Sequence, residues 1–178
     1  HPGSHGSPPV PGRALLLHFP AGMYKRSTTL AVALATLLTI SCGSGGGGNY
    51  VVAVRPGDRG GAKPEIAYKV EKSAPYVPSI VAYNDLAFLW SDKGVLTCID
   101  SKTGQIHYQE RIDGNFYGSP IRIQDRIYGM SDEGDCLVVA ATKEYKLLGR
   151  NPMGDFSRST PSVAHGRLYL RTQKTLIS

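Results

Sequence analysis

Few side chains in this sequence could carry redox, metal or nucleophilic chemistry. The 178 residues hold three cysteines (Cys42, Cys98 and Cys136), five histidines and one tryptophan, Trp90. Three cysteines cannot all pair within one chain, so a disulfide framework is not expected. Cys98 and Cys136 sit in apolar runs and read as small buried hydrophobes. His1, His5 and His18 fall in a Pro- and Gly-rich stretch at irregular spacing. His107 alternates with apolar neighbours, and His165 precedes Gly166 in a turn, so both read as solvent-facing. None stands at metal-ligand spacing from a cysteine or carboxylate, and no hydrolase motif accompanies them. Gly43-Ser44-Gly45-Gly46-Gly47-Gly48 suggests a phosphate loop, but no Gly-Lys-Ser/Thr follows and no helix is expected after it, so it reads as a turn or linker. Asp113-Gly114-Asn115 and Gly154-Asp155 lack the spacing of a calcium loop and read as turns. No catalytic, cofactor-binding or metal-binding residue is expected from these patterns.

Charge does not point to nucleic acid either. The formal net charge is +6, yet residues 1 to 49 hold Arg13, Lys25 and Arg26 with no acid. The rest of the chain is close to balance and lacks a clustered basic stripe.

The elements that would position these groups repeat. Ser91-Asp92-Lys93-Gly94 returns as Ser131-Asp132-Glu133-Gly134, and Gly114-Asn115-Phe116 as Gly154-Asp155-Phe156, each forty residues on. Pro78, Pro120 and Pro161 follow at intervals of 42 and 41, and Asp85-Leu86 returns as Arg126-Ile127 and Arg167-Leu168. A period of about 40 to 45 residues is that of stacked four-stranded blades. Within one unit, Ile80 to Tyr83, Leu86 to Trp90, Val95 to Ile99 and Gln105 to Ile112 read as strands between turns, with Ile106, Tyr108 and Ile112 on one face of the last. The next unit supplies Ile127 to Met130, Cys136 to Ala141 and Tyr145 to Leu148. Running the frame backwards finds Tyr50 to Val54 and Ile66 to Val70 as third and fourth strands. Leu38 to Ser41 then becomes the second strand, and Gly43 to Gly48 an enlarged turn. Ser162 to Ser178 begins a further blade and stops after about two strands.

The expected fold is all-β: a partial β-propeller of about three four-stranded antiparallel blades whose ring is not closed. The blades are expected at about 37–76, 77–117, 118–160 and, as the start of another, 161–178. Propellers close with about 4 to 8 blades, so a longer propeller or association is expected to supply the remainder. Residues 1–36 read as a disordered or signal-like leader. Lys25 and Arg26 precede Leu30 to Ile40, an uncharged run too short to span a bilayer but suited to the core of a secretory signal. Cys42, following Ile40 and Ser41, resembles the lipidated cysteine of a bacterial lipoprotein, although Thr39 stands where that pattern usually has Leu. A buried strand from Leu37 to Cys42 is the competing reading.

The phrase Ile99-Asp100-Ser101-Lys102-Thr103-Gly104-Gln105-Ile106-His107-Tyr108 resembles the docking motif of PQQ-like, or quinoprotein-type, β-propeller repeats. In that motif an Asp, a Thr-Gly turn and an aromatic recur in each blade, and the aromatic, usually Trp, packs on the neighbouring blade. Tyr108 takes the aromatic's place, so Asp100, Thr103, Gly104 and Tyr108 are the blade-docking residues implied. Ala140-Ala141-Thr142-Lys143-Glu144 stands at the equivalent place in the next unit without a Thr-Gly turn. The resemblance runs from about Leu38 to Ser178 and extends, more distantly, to the propeller lipoprotein of the outer-membrane β-barrel assembly machine. It implies a non-enzymatic protein-interaction scaffold, periplasmic or otherwise exported, partnered by another protein or by the remaining blades. A membrane would be met only through a lipid anchor at Cys42, and no cofactor is expected. The alternative implied is a fragment of a PQQ- and calcium-dependent dehydrogenase, which would need a Trp and adjacent cysteines around the quinone. A propeller sensor region of a receptor or kinase is a third class. Trp90 reads instead as packing between blades. Tyr76 and Tyr117, in corresponding inter-blade loops, are the expected partner contacts.

Overall fold

The computed structural model describes residues 39–45, 48–57, 61 and 63–178. The leader, with His1, His5, His18, Lys25 and Arg26, lies outside them. Every regular element among the described residues is a strand: β1 (Thr39–Gly45), β2 (Gly48–Arg55), β3 (Glu65–Val70), β4 (Val81–Tyr83), β5 (Leu86–Trp90), β6 (Val95–Asp100), β7 (Ile106–Arg111), β8 (Ile121–Ile123), β9 (Arg126–Met130), β10 (Asp135–Ala140), β11 (Leu147–Pro152), β12 (Ser162–Ala164), β13 (Arg167–Arg171) and β14 (Leu176–Ile177). They form four antiparallel meanders: β1-β2-β3, β4-β5-β6-β7, β8-β9-β10-β11 and β12-β13-β14. None closes on itself, and together they make a partial propeller.

Turn chemistry recurs with the repeat. Asn84, Gln124 and His165, 40 and 41 residues apart, take positive φ of 53°, 55° and 50° in the tight hairpins joining the first two strands of their sheets. Two-residue hairpin loops demand that left-handed backbone. In the next turn the hydroxyls of Ser91 and Ser131 accept the amides of Val95 and Asp135, both at 3.0 Å. The last pairing of each of the first three sheets, β2–β3, β6–β7 and β10–β11, also shifts register once, between Ala53/Val54, Cys98/Ile99 and Val138/Val139. Such a bulge bends the outer strand and re-aims its side chains.

The interior lies between sheets. Strand alternation sends Ala87 and Leu89 of β5 one way, against Val51 and Val70 of the first sheet. It sends Leu86, Phe88 and Trp90 the other way, against Ile127, Leu137 and Val139 of the third. A third layer joins Tyr128, Met130 and Cys136 to Leu170 of the last sheet. Each middle sheet is therefore covered on both faces, which is why β5 is buried at every position.

Several boundaries differ from the sequence expectation. Gly43 to Gly45 belong to β1, with Gly43 opposite Tyr50 and Gly45 opposite Gly48, so the expected enlarged turn from Gly43 to Gly48 is much shorter. Glycine weakens a strand without forbidding it. The fourth strand of the third sheet is Leu147–Pro152, not Tyr145 to Leu148, because Thr142 to Tyr145 form an irregular turn in place of the Thr-Gly hairpin. The last sheet has three strands, not two. In β7 the bulge sets Ile99 opposite Ile106 and Cys98 opposite Tyr108, leaving His107 as the extra residue. Ile106 is consequently 50% exposed instead of sharing an inward face with Tyr108. His107 is half-buried, not solvent-facing, and its Nε2 is buried without a hydrogen-bond partner.

Candidate functional site

The turn between β6 and β7 is built by one carboxylate. Asp100 Oδ1 accepts the amides of Lys102 (3.0 Å) and Thr103 (2.9 Å) and the Thr103 hydroxyl (3.0 Å). These bonds, the Thr103 amide first, hold the Asp100 carboxyl below the usual carboxylate range. Gly104 closes the turn at φ +76°, its amide bonding Asp100 O at 2.9 Å.

The aromatic lying on this turn comes from the preceding sheet. A Cβ on Gly104 would stand 2.5 Å from the Tyr68 ring, and Tyr68 donates its hydroxyl to Ser101 O at 2.8 Å. Burial, and then the nearby Asp100 charge, push the Tyr68 hydroxyl's pKa upward. Tyr68 precedes Tyr108 by forty residues, so the repeat frame carried this pairing, although sequence reasoning named only Tyr108. Tyr108 reaches forward in the same way and meets a different surface. Its ring lies edge-on to Tyr145 at 5.6 Å, and its buried hydroxyl has no hydrogen-bond partner. Burial pushes that hydroxyl's pKa well up. Asp100, Thr103 and Gly104 thus gather in one turn with Tyr68, while Tyr108 lies at the following interface.

Trp90 is 1% exposed, 4.7 Å from Phe116 between ring centroids, and pressed against β9 of the next sheet. A Cβ on Gly129 would come within 2.8 Å of its ring. A quinone would need a free indole face beside adjacent cysteines. The sequence has no adjacent cysteines, and Phe116 and Gly129 press on the indole, so the residues present do not fit PQQ. Cys98 and Cys136 are buried on successive sheets, and burial pushes their thiols up to about 12 and about 11. Such thiols stay protonated and unreactive near neutral pH. Cys98 donates weakly to Thr142 O at 3.7 Å. Cys42 lies in β1 opposite Val51. His165 is exposed in its hairpin. Among the described residues no three His, Cys, Asp or Glu side chains gather as a metal site.

The loops joining successive sheets share one end of the molecule with the β5–β6 and β9–β10 turns. Tyr76 N donates to Asp92 Oδ1 at 3.3 Å, and Asn115 N to Asp132 Oδ1 at 3.4 Å. Ser79 N donates to Ser119 Oγ (3.0 Å) and Ser119 N to Thr160 Oγ1 (2.9 Å), tying three successive loops side by side. Tyr76 is 60% exposed there. Tyr117 is half-buried, with the Arg158 guanidinium 4.4 Å above its ring. A cleft of about 390 Å³ between the first two sheets has a mixed-charge lining that includes Glu71, Asp92, Lys93 and Arg111.

No protein-family model and no curated protein matches this chain. Solved structures do. A europium-containing methanol dehydrogenase superposes with a TM-score of 0.50 at 12% identity, over 62% of this chain and 22% of that one. BamB from Moraxella catarrhalis gives 0.53 at 14% identity, over 73% of this chain and 42% of that one. The chain thus spans less than half of either protein. Identities this low bear on fold alone, and the fold of this chain is that of adjoining blades of a β-propeller.

Proposed function

We propose that the chain is a non-enzymatic scaffold, forming part of a longer propeller, whose inter-blade loops hold a protein partner. The observation that supports it is the fate of Trp90. The one indole available for stacking a quinone is instead pressed between Phe116 and Gly129, where it joins two sheets. Protonated Cys98 and Cys136 are likewise spent on packing. The loops carrying Tyr76 and Tyr117 remain accessible at one end, where binding surfaces on rigid scaffolds tend to lie. An exported setting belongs to the same proposal. It rests on the basic pair Lys25 and Arg26 ahead of the apolar run Leu30 to Ile40, and on Cys42 as the residue that would take a lipid, after a cleavage that would take Thr39 to Ser41 away from β1. Diacylglyceryl mass on Cys42 in the protein recovered from cells is the expected sign of anchoring.

The second reading, a portion of a PQQ- and calcium-dependent dehydrogenase, is favoured by the likeness to the methanol dehydrogenase. One titration separates the two. Purified chain mixed with PQQ and Ca²⁺ should neither gain quinone absorbance after desalting nor reduce an acceptor dye with alcohol. A stoichiometric holoprotein overturns the scaffold reading.

A further inference from the structure

We propose that Arg158, held against Tyr117 and Phe156 and continued by Tyr76, is the docking point for an acidic segment of a partner protein. This deepens the scaffold reading and rests on it.

Placement comes from the repeat. Tyr76, Tyr117 and Arg158 are spaced 41 residues apart and occupy the same station in three successive inter-sheet loops. The hydrogen bonds from Ser79 to Ser119 and from Ser119 to Thr160 fix those loops as neighbours two or three residues downstream. Within each loop the chain alternates. Phe116 and Ser157 are buried at 1% exposure each, so Tyr117 and Arg158 turn outward beside them.

The chemistry comes from the unpaired charge. The Arg158 guanidinium lies 4.4 Å from the Tyr117 ring centroid and 5.1 Å from that of Phe156. Two aromatic contacts hold the cation in place and lower the entropy lost when its planar fork binds a carboxylate. Among the described residues Arg158 has no carboxylate partner, unlike Arg55, Arg126 and Arg150. The acid of its own loop is engaged elsewhere: Asp155 accepts the amides of Phe156 at 3.0 Å and Lys174 at 2.9 Å. Phe156, beside the cation, is 42% exposed, and two loops back Tyr76 and Val77 are 60% and 48% exposed. Tyrosine, phenylalanine and arginine together are the composition of interface hot spots. A carboxylate flanked by apolar side chains complements this surface, because it meets a guanidinium whose donors are free and a rim that gains by losing water.

The test is fluorescence anisotropy of the full chain with a fluorescein-labelled peptide of alternating leucine and glutamate, and with its leucine–glutamine counterpart. The glutamate peptide should bind, and added salt should weaken it. Arg158→Gln should weaken it about tenfold, Arg158→Lys by less, and Tyr76→Ala several-fold, with circular dichroism unchanged. Lys146→Gln, an exposed cation outside these loops, should leave binding as it was. Equal affinity for the two peptides, no binding, or indifference to Arg158→Gln overturns the proposal. If the PQQ titration is also blank, only the acidic partner falls and the scaffold reading stands. Quinone uptake removes that reading itself.

Discussion

The first and second inter-sheet junctions are built from the same station of the repeat and solve it differently. At the first, Tyr68 packs closely against Gly104 and its hydroxyl finds Ser101 O. At the second, Tyr108 meets a turn in which Glu144 stands where Gly104 stood, and the hydroxyl is left buried without a partner. The difference is offset by mass, since the second junction also carries Trp90, Phe88, Phe116 and Leu137, all at most 1% exposed. One junction is specific and small, the other apolar and large. The repeat therefore conserves where sheets touch, and leaves open how the contact is stabilised. Trp90→Ala should accordingly produce the largest loss, about 3–5 kcal/mol, read as a shift in urea midpoint. A loss below about 1 kcal/mol would mean that Phe116 and Gly129 close over the gap and that the apolar junction is not what holds these sheets.

The specific junction should break at its glycine. Gly104→Ala places a Cβ in the Tyr68 ring on a left-handed backbone, so a cost of about 2–3 kcal/mol is expected. Glu144→Ala, at the equivalent position of the next sheet, should be neutral within about 0.5 kcal/mol. Equal effects at the two sites would erase the contrast. Removing hydroxyls sharpens it further, because the sign should invert. Tyr68→Phe discards a made hydrogen bond and should cost about 1 kcal/mol, whereas Tyr108→Phe removes a buried unsatisfied group and should stabilise by about 1 kcal/mol. Paired thermal melts would show opposite shifts.

Much of this was legible in the sequence because the information is periodic. The recurrence of Ser91-Asp92-Lys93-Gly94 as Ser131-Asp132-Glu133-Gly134 located the sheets and their turns, and Trp90 at a strand end read correctly as packing between them. What was not legible depends on local departures from the period. A one-residue bulge between Cys98 and Ile99 leaves Ile106 exposed and half-buries His107, and alternation alone cannot register an extra residue. The loss of the Thr-Gly turn moved the start of β11 to Leu147, because nothing in Ala140 to Tyr145 announces where an irregular loop rejoins the sheet. Tyr68 was missed for another reason. Its partner Gly104 is thirty-six residues away, and only superposing the units places one against the other. At Arg158 the period gives the station but not the residue type, because tyrosine precedes it there, and its contacts with Tyr117 and Phe156 exist only once the loops are folded.

The smallest expected effect concerns acid. The Asp100 carboxyl titrates below its ordinary value when folded, chiefly through the Thr103 amide, so folding favours its charged form. A depressed folded pKa means that its contribution is present above the unfolded value of about 4 and is lost as pH falls through the folded value. Asp100→Asn should therefore lower stability at pH 7, and the gap between variant and parent should narrow toward pH 3. Because the turn is exposed, solvent screens the charge and the change should be small. The same substitution probes the contrast between junctions, since this carboxylate shapes the turn on which Tyr68 rests, and the following turn holds Ala140 where Asp100 would stand. Denaturant titrations of both proteins at the two pH values would show the narrowing. A gap of equal size at both would mean that the amide bonds survive protonation and that turn geometry, not charge, seats Tyr68.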